Sequence, residues 1–158
     1  MAREKRTDPI LQEASKHLHY EFWMLTSLAH GLASGIAAGG WLHNALLESF
    51  IIHVRVLIDF LYAEQPRADD VVAADYFYPS DEWDKLRPLQ SETLKKARIR
   101  THKELAHLTY ERLNVTPETK PWAFSEIANE IQKVMRIFLE KVPKHLLSDP
   151  WQAPQKGA

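Results

Sequence analysis

At 158 residues the chain has room for one domain with a proper hydrophobic core and hardly room for two. Its 20 Lys and Arg balance 21 Asp and Glu at 45% hydrophobic residues, which excludes both a disordered polyampholyte and a globally basic nucleic-acid wrapper. With no cysteine, it offers no disulfide scaffold, no thiolate nucleophile and no Cys-ligated zinc or iron–sulfur site.

The segment from Met1 to Pro9 has no apolar run, and no later stretch approaches the ~18 uninterrupted apolar residues of a membrane span. The expectation is a soluble cytoplasmic protein with no membrane partner. Asp8 before Pro9 reads as an N-cap followed by a first-turn proline. Leu11, Ala14, Leu18, Phe22, Leu25, Ala29 and Leu32 then recur at three- and four-residue steps, giving a first helix over 9–32. A second helix, 44–62, carries Leu46, Leu47, Phe50, Val54, Leu57, Ile58 and Leu61 on a wide apolar arc and should be the most buried. Residues 64–90 form a long, partly helical connection around the aromatic cluster Tyr76, Phe77, Tyr78 and Trp83. Ser91 caps a third helix reaching Leu113, with Leu94, Ala97, Thr101, Leu105 and Leu108 on its core face. After a proline-containing loop, Ile127, Ile131, Val134, Phe138 and Val142 mark a fourth helix ending before Pro143. Pro150, Pro154 and Gly157 make 148–158 a disordered tail, to which Trp151 alone offers an anchor.

Chemistry concentrates on the third helix. At ~100° per residue, Lys96, Arg100, Lys103 and His107 share one flank, displaced by roughly 100° from the core stripe. Between Lys85 and Arg112 there are eight basic residues against three acidic ones, a local excess that can hold phosphate. The bland account is a solvated face with weak intrahelical pairs such as Arg100 with Glu104 and His107 with Glu111.

Arg100 and His107 lie seven residues apart and address one groove. A helical bundle with an arginine, a following polar residue (here Thr101) and a histidine four to six residues further on resembles the HEPN superfamily; the six residues between Arg100 and His107 are the upper edge of that pattern. Many members are metal-independent, dimeric ribonucleases in toxin and phage-defence systems. The resemblance implies Arg100 as a phosphate-binding catalytic residue and His107 as an acid/base; the charge of the flank makes Lys96 and Lys103 further phosphate-binding candidates. The segments Asn44–Phe60 and Leu105–Thr109 also resemble uncharacterised bacterial helical proteins, a likeness that supplies no activity. Attack of a ribose 2′-hydroxyl on its neighbouring phosphate needs charge stabilisation and proton transfer, which guanidinium and imidazole supply without a metal.

On the second helix Glu48, Arg55 and Asp59 share a narrow face. One reading is an Arg55–Asp59 salt bridge, with or without Glu48, that fixes packing or dimer register. The other lets Glu48 or Asp59 orient Arg100 or His107. The eight histidines raise a third site, a metal in the bundle core as in DinB-like proteins, but no two stand at i and i+4, and neither a metal nor another cofactor is expected. Trp41, Trp83, Trp122 and Tyr110 are candidate base-stacking groups, with core packing as the alternative. A second apolar stripe on the third helix, Ile99, Ala106 and Leu113, needs cover from the 64–90 connection or from a second subunit.

The expectation is therefore an all-α, HEPN-like four-helix bundle over 1–147, forming a homodimer. RNA or nucleotide binding with metal-independent endoribonuclease activity is the first functional reading. The alternative is a catalytically silent module for protein interaction or regulation, and the sequence leaves open whether the chain is an enzyme.

Overall fold

Local chemistry sets the ends of the helices. Thr7 is the extended residue preceding α1 (Asp8–Ala33), Pro9 stands in the first turn, and Asp8 faces the positive end of the helix dipole. The cap position thus falls on Thr7 rather than Asp8. Gly35 at φ 71° follows α1, and Gly39 at φ 85° leads into α2 (Gly40–Tyr62). Both lie in the left-handed region that glycine enters without a steric penalty.

The computed structural model describes residues 5–35, 39–101, 110–114, 116 and 121–152, and their regular structure is entirely helical. After α2 come a 3-10 turn over Ala73–Tyr76, α3 (Glu82–Leu86), α4 (Glu92–Arg100), a 3-10 turn over Tyr110–Asn114, α5 (Phe124–Lys141), a 3-10 turn over Lys144–Leu146 and α6 (Asp149–Gln152). α1 packs on α2 and α5, α2 on α4 and α5, and α4 on α5. Among the described residues no helix is long and apolar enough to cross a membrane.

The expected stripes meet in one core. α1 brings Leu11, Leu18, Leu25 and Leu32, α2 brings Phe50, Val54, Leu57 and Leu61, α4 brings Leu94 and Ala97, and α5 brings Ile127, Ile131, Val134 and Phe138. Each large side chain of this kind contributes about 1.5–3 kcal/mol on leaving water. The connection between α2 and α4 folds onto this core instead of looping away. Phe138 receives the ring edges of Phe60, Tyr76, Phe77 and Trp83 at centroid distances of 5.2–5.9 Å. Their polar atoms are satisfied in place: Tyr76 donates its hydroxyl to the Leu11 carbonyl at 3.0 Å, and the Trp83 indole N–H donates to the Leu61 carbonyl at 2.9 Å.

Some boundaries differ from expectation: α2 begins at Gly40 rather than at residue 44. Ser91 does cap α4, accepting from the Leu94 N–H at 3.3 Å, but α4 is described only as far as Arg100. Residues 102–109, including Lys103, Ala106 and His107, lie outside the described residues. At the C-terminal side, the tail expected to be disordered from 148 is packed as far as Gln152. Ser148 is buried, its N–H donates to Ser15 Oγ at 2.8 Å, and the Trp151 indole donates to the Ser15 carbonyl at 2.7 Å while stacking on Phe22. Asp149 and Pro150 occupy the opening turn of α6, so the proline starts a helix there.

Candidate functional site

Among the described residues, four of the eight basic groups counted between Lys85 and Arg112 are paired with carboxylates. Lys85 pairs with Asp81 at 2.9 Å, holding that carboxyl below the usual carboxylate range chiefly through their hydrogen bond. Arg87 pairs with Asp84 at 2.8 Å and lies over the Tyr62 ring. Lys95 pairs with Glu92 at 2.7 Å and lowers its carboxyl in the same way. Arg98 reaches across to Asp59 of α2 at 3.5 Å. Asp59, Asp81 and Asp84 all lie N-terminal to the counted stretch, so a count along the helix leaves these partners out.

Arg100 is held to the segment that leads into α5. Its Nη1 donates to the Pro121 carbonyl at 3.1 Å, and its guanidinium lies 4.0 Å from the centre of the Trp122 ring. Trp122 is buried, and Arg100 caps it. Thr101, the polar residue of the Arg…His pattern, is buried as well and donates its hydroxyl to the Arg98 carbonyl at 2.8 Å. Lys96 is exposed, and its charge adds to that of Lys95 in lowering the Glu92 carboxyl.

On the face shared by Glu48, Arg55 and Asp59, the arginine and the aspartate form a salt bridge. Arg55 Nε stands 3.7 Å from Asp59 Oδ2, both side chains being about two-fifths exposed. Asp59 therefore serves two arginines, Arg55 and Arg98, as the salt-bridge reading has it; Arg100 is held by Pro121 and Trp122, and His107, the other group that Asp59 could orient, lies outside the described residues. Glu48 is exposed and makes no ion pair among the described residues. The same outer face of α2 leaves Trp41 at 80%, Ile52 at 54% and Val56 at 41% exposure. Ile99 and Leu113 of the second apolar stripe are likewise exposed, so the 64–90 connection does not cover them. Of the candidate stacking aromatics, Trp83 and Trp122 are buried while Trp41 and Tyr110 are exposed.

One polar pair was not anticipated. His53, only 7% exposed, places Nδ1 2.6 Å from Glu21 Oε2 of α1, with the Tyr20 ring edge-on at 5.9 Å. A carboxylate so placed fixes the imidazole's orientation and, with the proton on Nδ1, its tautomer. The pair joins α1 to α2. Its sequence signal was a histidine inside the apolar run Ile51-Ile52-His53-Val54, which demands a buried partner. Among the described residues no cluster of three His, Asp or Glu is placed to hold a metal ion. Comparison with protein-family models, with curated proteins and with solved structures finds no match to this chain.

Proposed function

We propose that this chain is an interaction module, an HEPN-like four-helix bundle that acts by binding rather than catalysis and pairs with a second copy through the outer face of α2. The observation that carries this reading is the composition of that face. Exposed apolar residues (Trp41, Ile52, Val56) alternate with an acid and a base, Glu48 and Arg55, separated by two turns of helix. A two-fold contact brings residue i against j and j against i. Antiparallel pairing of two α2 helices about Ile52 sets Glu48 against the partner's Arg55 twice over and buries Ile52 at the axis. The fixed side-chain commitments of Arg98 and Arg100 support a structural use of the basic flank, in keeping with a module that does no chemistry.

Sedimentation at low micromolar concentration tests this. The parent is expected to be a dimer, Glu48→Arg a monomer, and Glu48→Arg with Arg55→Glu a dimer again, because the double reversal restores both pairs. An 18.3 kDa particle for the parent overturns the pairing.

RNA binding is the second reading, favoured by exposed Lys96 on the helix that carries Arg98 and Arg100. In this reading Arg100 and His107 of a bacterial, cytoplasmic defence ribonuclease cleave without metal to 2′,3′-cyclic phosphates. Folded His107→Ala should then retain RNA affinity and lose cleavage, and cleavage should survive EDTA.

A further inference from the structure

Between Lys5 and Arg6, which precede α1, and the α2–α4 connection lies a cavity of about 450 Å³, within the ~300–1,000 Å³ typical of small-ligand sites. Its inner wall is apolar. Phe60, Leu61, Phe77 and Trp83 line it, and Phe77 and Trp83 stack nearly parallel, 19° apart with centroids at 5.5 Å. Lys5, Arg6 and Tyr78 stand at its rim, with the Lys5 ammonium 4.8 Å from the centre of the Tyr78 ring.

The charges at the rim are not equivalent. Three carboxylates also line the cavity: Asp81 is paired with Lys85 and Asp84 with Arg87, while Asp75 accepts from the uncharged Val72 N–H at 3.2 Å, one carboxylate against the two cations of the rim. The two cations are held only by uncharged groups, Lys5 by a ring face and Arg6 by the Ala68 carbonyl. Neither has a carboxylate partner among the described residues. The field offered to a ligand is therefore positive at the mouth, over an aromatic and aliphatic floor.

We propose that this cavity binds a small aromatic anion, its ring against Phe77 and its carboxylate, sulfonate or phosphate between Lys5 and Arg6. A neutral aromatic would use the floor and gain nothing from the rim. An aliphatic anion would do the reverse. The proposal is independent of the pairing through α2, since the cavity draws on neither Ile52 nor the acid and base beside it.

Two fluorescent probes test it, the anionic anilinonaphthalene sulfonate and its uncharged relative phenylnaphthylamine. The sulfonate should bind the folded parent with one site per chain, quench indole emission and weaken as salt is raised. Lys5→Ala with Arg6→Ala should lower its affinity about tenfold, equivalent to ~1.4 kcal/mol, and leave the neutral probe unchanged. Equal affinity of the parent for the two probes, many weak sites, or unaltered sulfonate binding in the double variant overturns the proposal. If that variant does not fold, the salt titration of the parent decides: salt-independent binding overturns it.

Discussion

The Arg100 guanidinium lies 4.0 Å from the centre of the Trp122 ring and donates to the carbonyl of the preceding Pro121, so one side chain ties the end of α4 to the entrance of α5. That tie predicts a structural cost for its loss. Arg100→Ala should destabilise the fold by about 1–2 kcal/mol, the sum of one hydrogen bond and one stacked cation. Arg100→Lys keeps the charge but not the plane and should recover less than half of this. Urea unfolding checks the ranking; an Arg100→Ala protein as stable as the parent would return Arg100 to the phosphate-binding role.

Two buried tyrosines should respond in opposite ways to loss of the hydroxyl. Tyr76 donates to the Leu11 carbonyl, so Tyr76→Phe removes a buried hydrogen bond and should cost about 1 kcal/mol at neutral pH. The Tyr62 hydroxyl is buried without a hydrogen-bond partner among the described residues, and Tyr62→Phe should be neutral or stabilising by up to about 1 kcal/mol. Thermal melts of the two variants decide.

The same pair predicts alkaline sensitivity. Burial raises the ionisation of both hydroxyls above the ordinary tyrosine value. The unfolded chain releases these protons from about pH 10, while the folded chain retains them. Stability is thus complete below about pH 10 and falls as pH rises beyond it. A chain carrying both phenylalanines should show a shallower decline in urea midpoint between about pH 9 and 11.

Glu21 and His53 predict a double-mutant signature. Glu21→Ala should cost about 1–3 kcal/mol, because the enclosed imidazole nitrogen loses its carboxylate partner, and His53→Leu should cost less, since Glu21 can turn to water. The double change should cost less than the sum of the two. Full additivity in the unfolding free energies would show that the contact contributes nothing.

Asp59 predicts an electrostatic effect without a stability effect. Asp59→Asn leaves Arg55 and Arg98 uncompensated, yet both pairs are partly exposed and worth little, so the melting temperature should stay within about 2 °C of the parent. Affinity for a polyanion such as heparin at low salt should rise, with a steeper salt dependence.

These contacts mark the limit of what the sequence disclosed. The stripes on α1, α2 and α5 were legible because apolar spacing reports directly which side of a helix leaves water. Ser91 was legible because capping is local. The partners of Arg98 and Arg100 were not legible, since Asp59 arrives from another helix and Trp122 from the loop before α5, neither of which has a fixed offset from α4. Glu21 and His53 stayed hidden for the same reason. At Pro150 the same residue type serves helix starts and breaks alike, and only the burial of Ser148 distinguishes them.

Ser15 carries a consequence for synthesis on the ribosome. Its hydroxyl and carbonyl are enclosed by α1's packing, yet their partners Ser148 and Trp151 lie more than 130 positions later in the chain. While the nascent polypeptide still lacks those positions, α1 and α2 can associate but Ser15 is left exposed to competing water or to another chain's polar groups. Completion of the core therefore waits for translation past Trp151, and stalled products that stop near Leu147 should be the ones that chaperones retain.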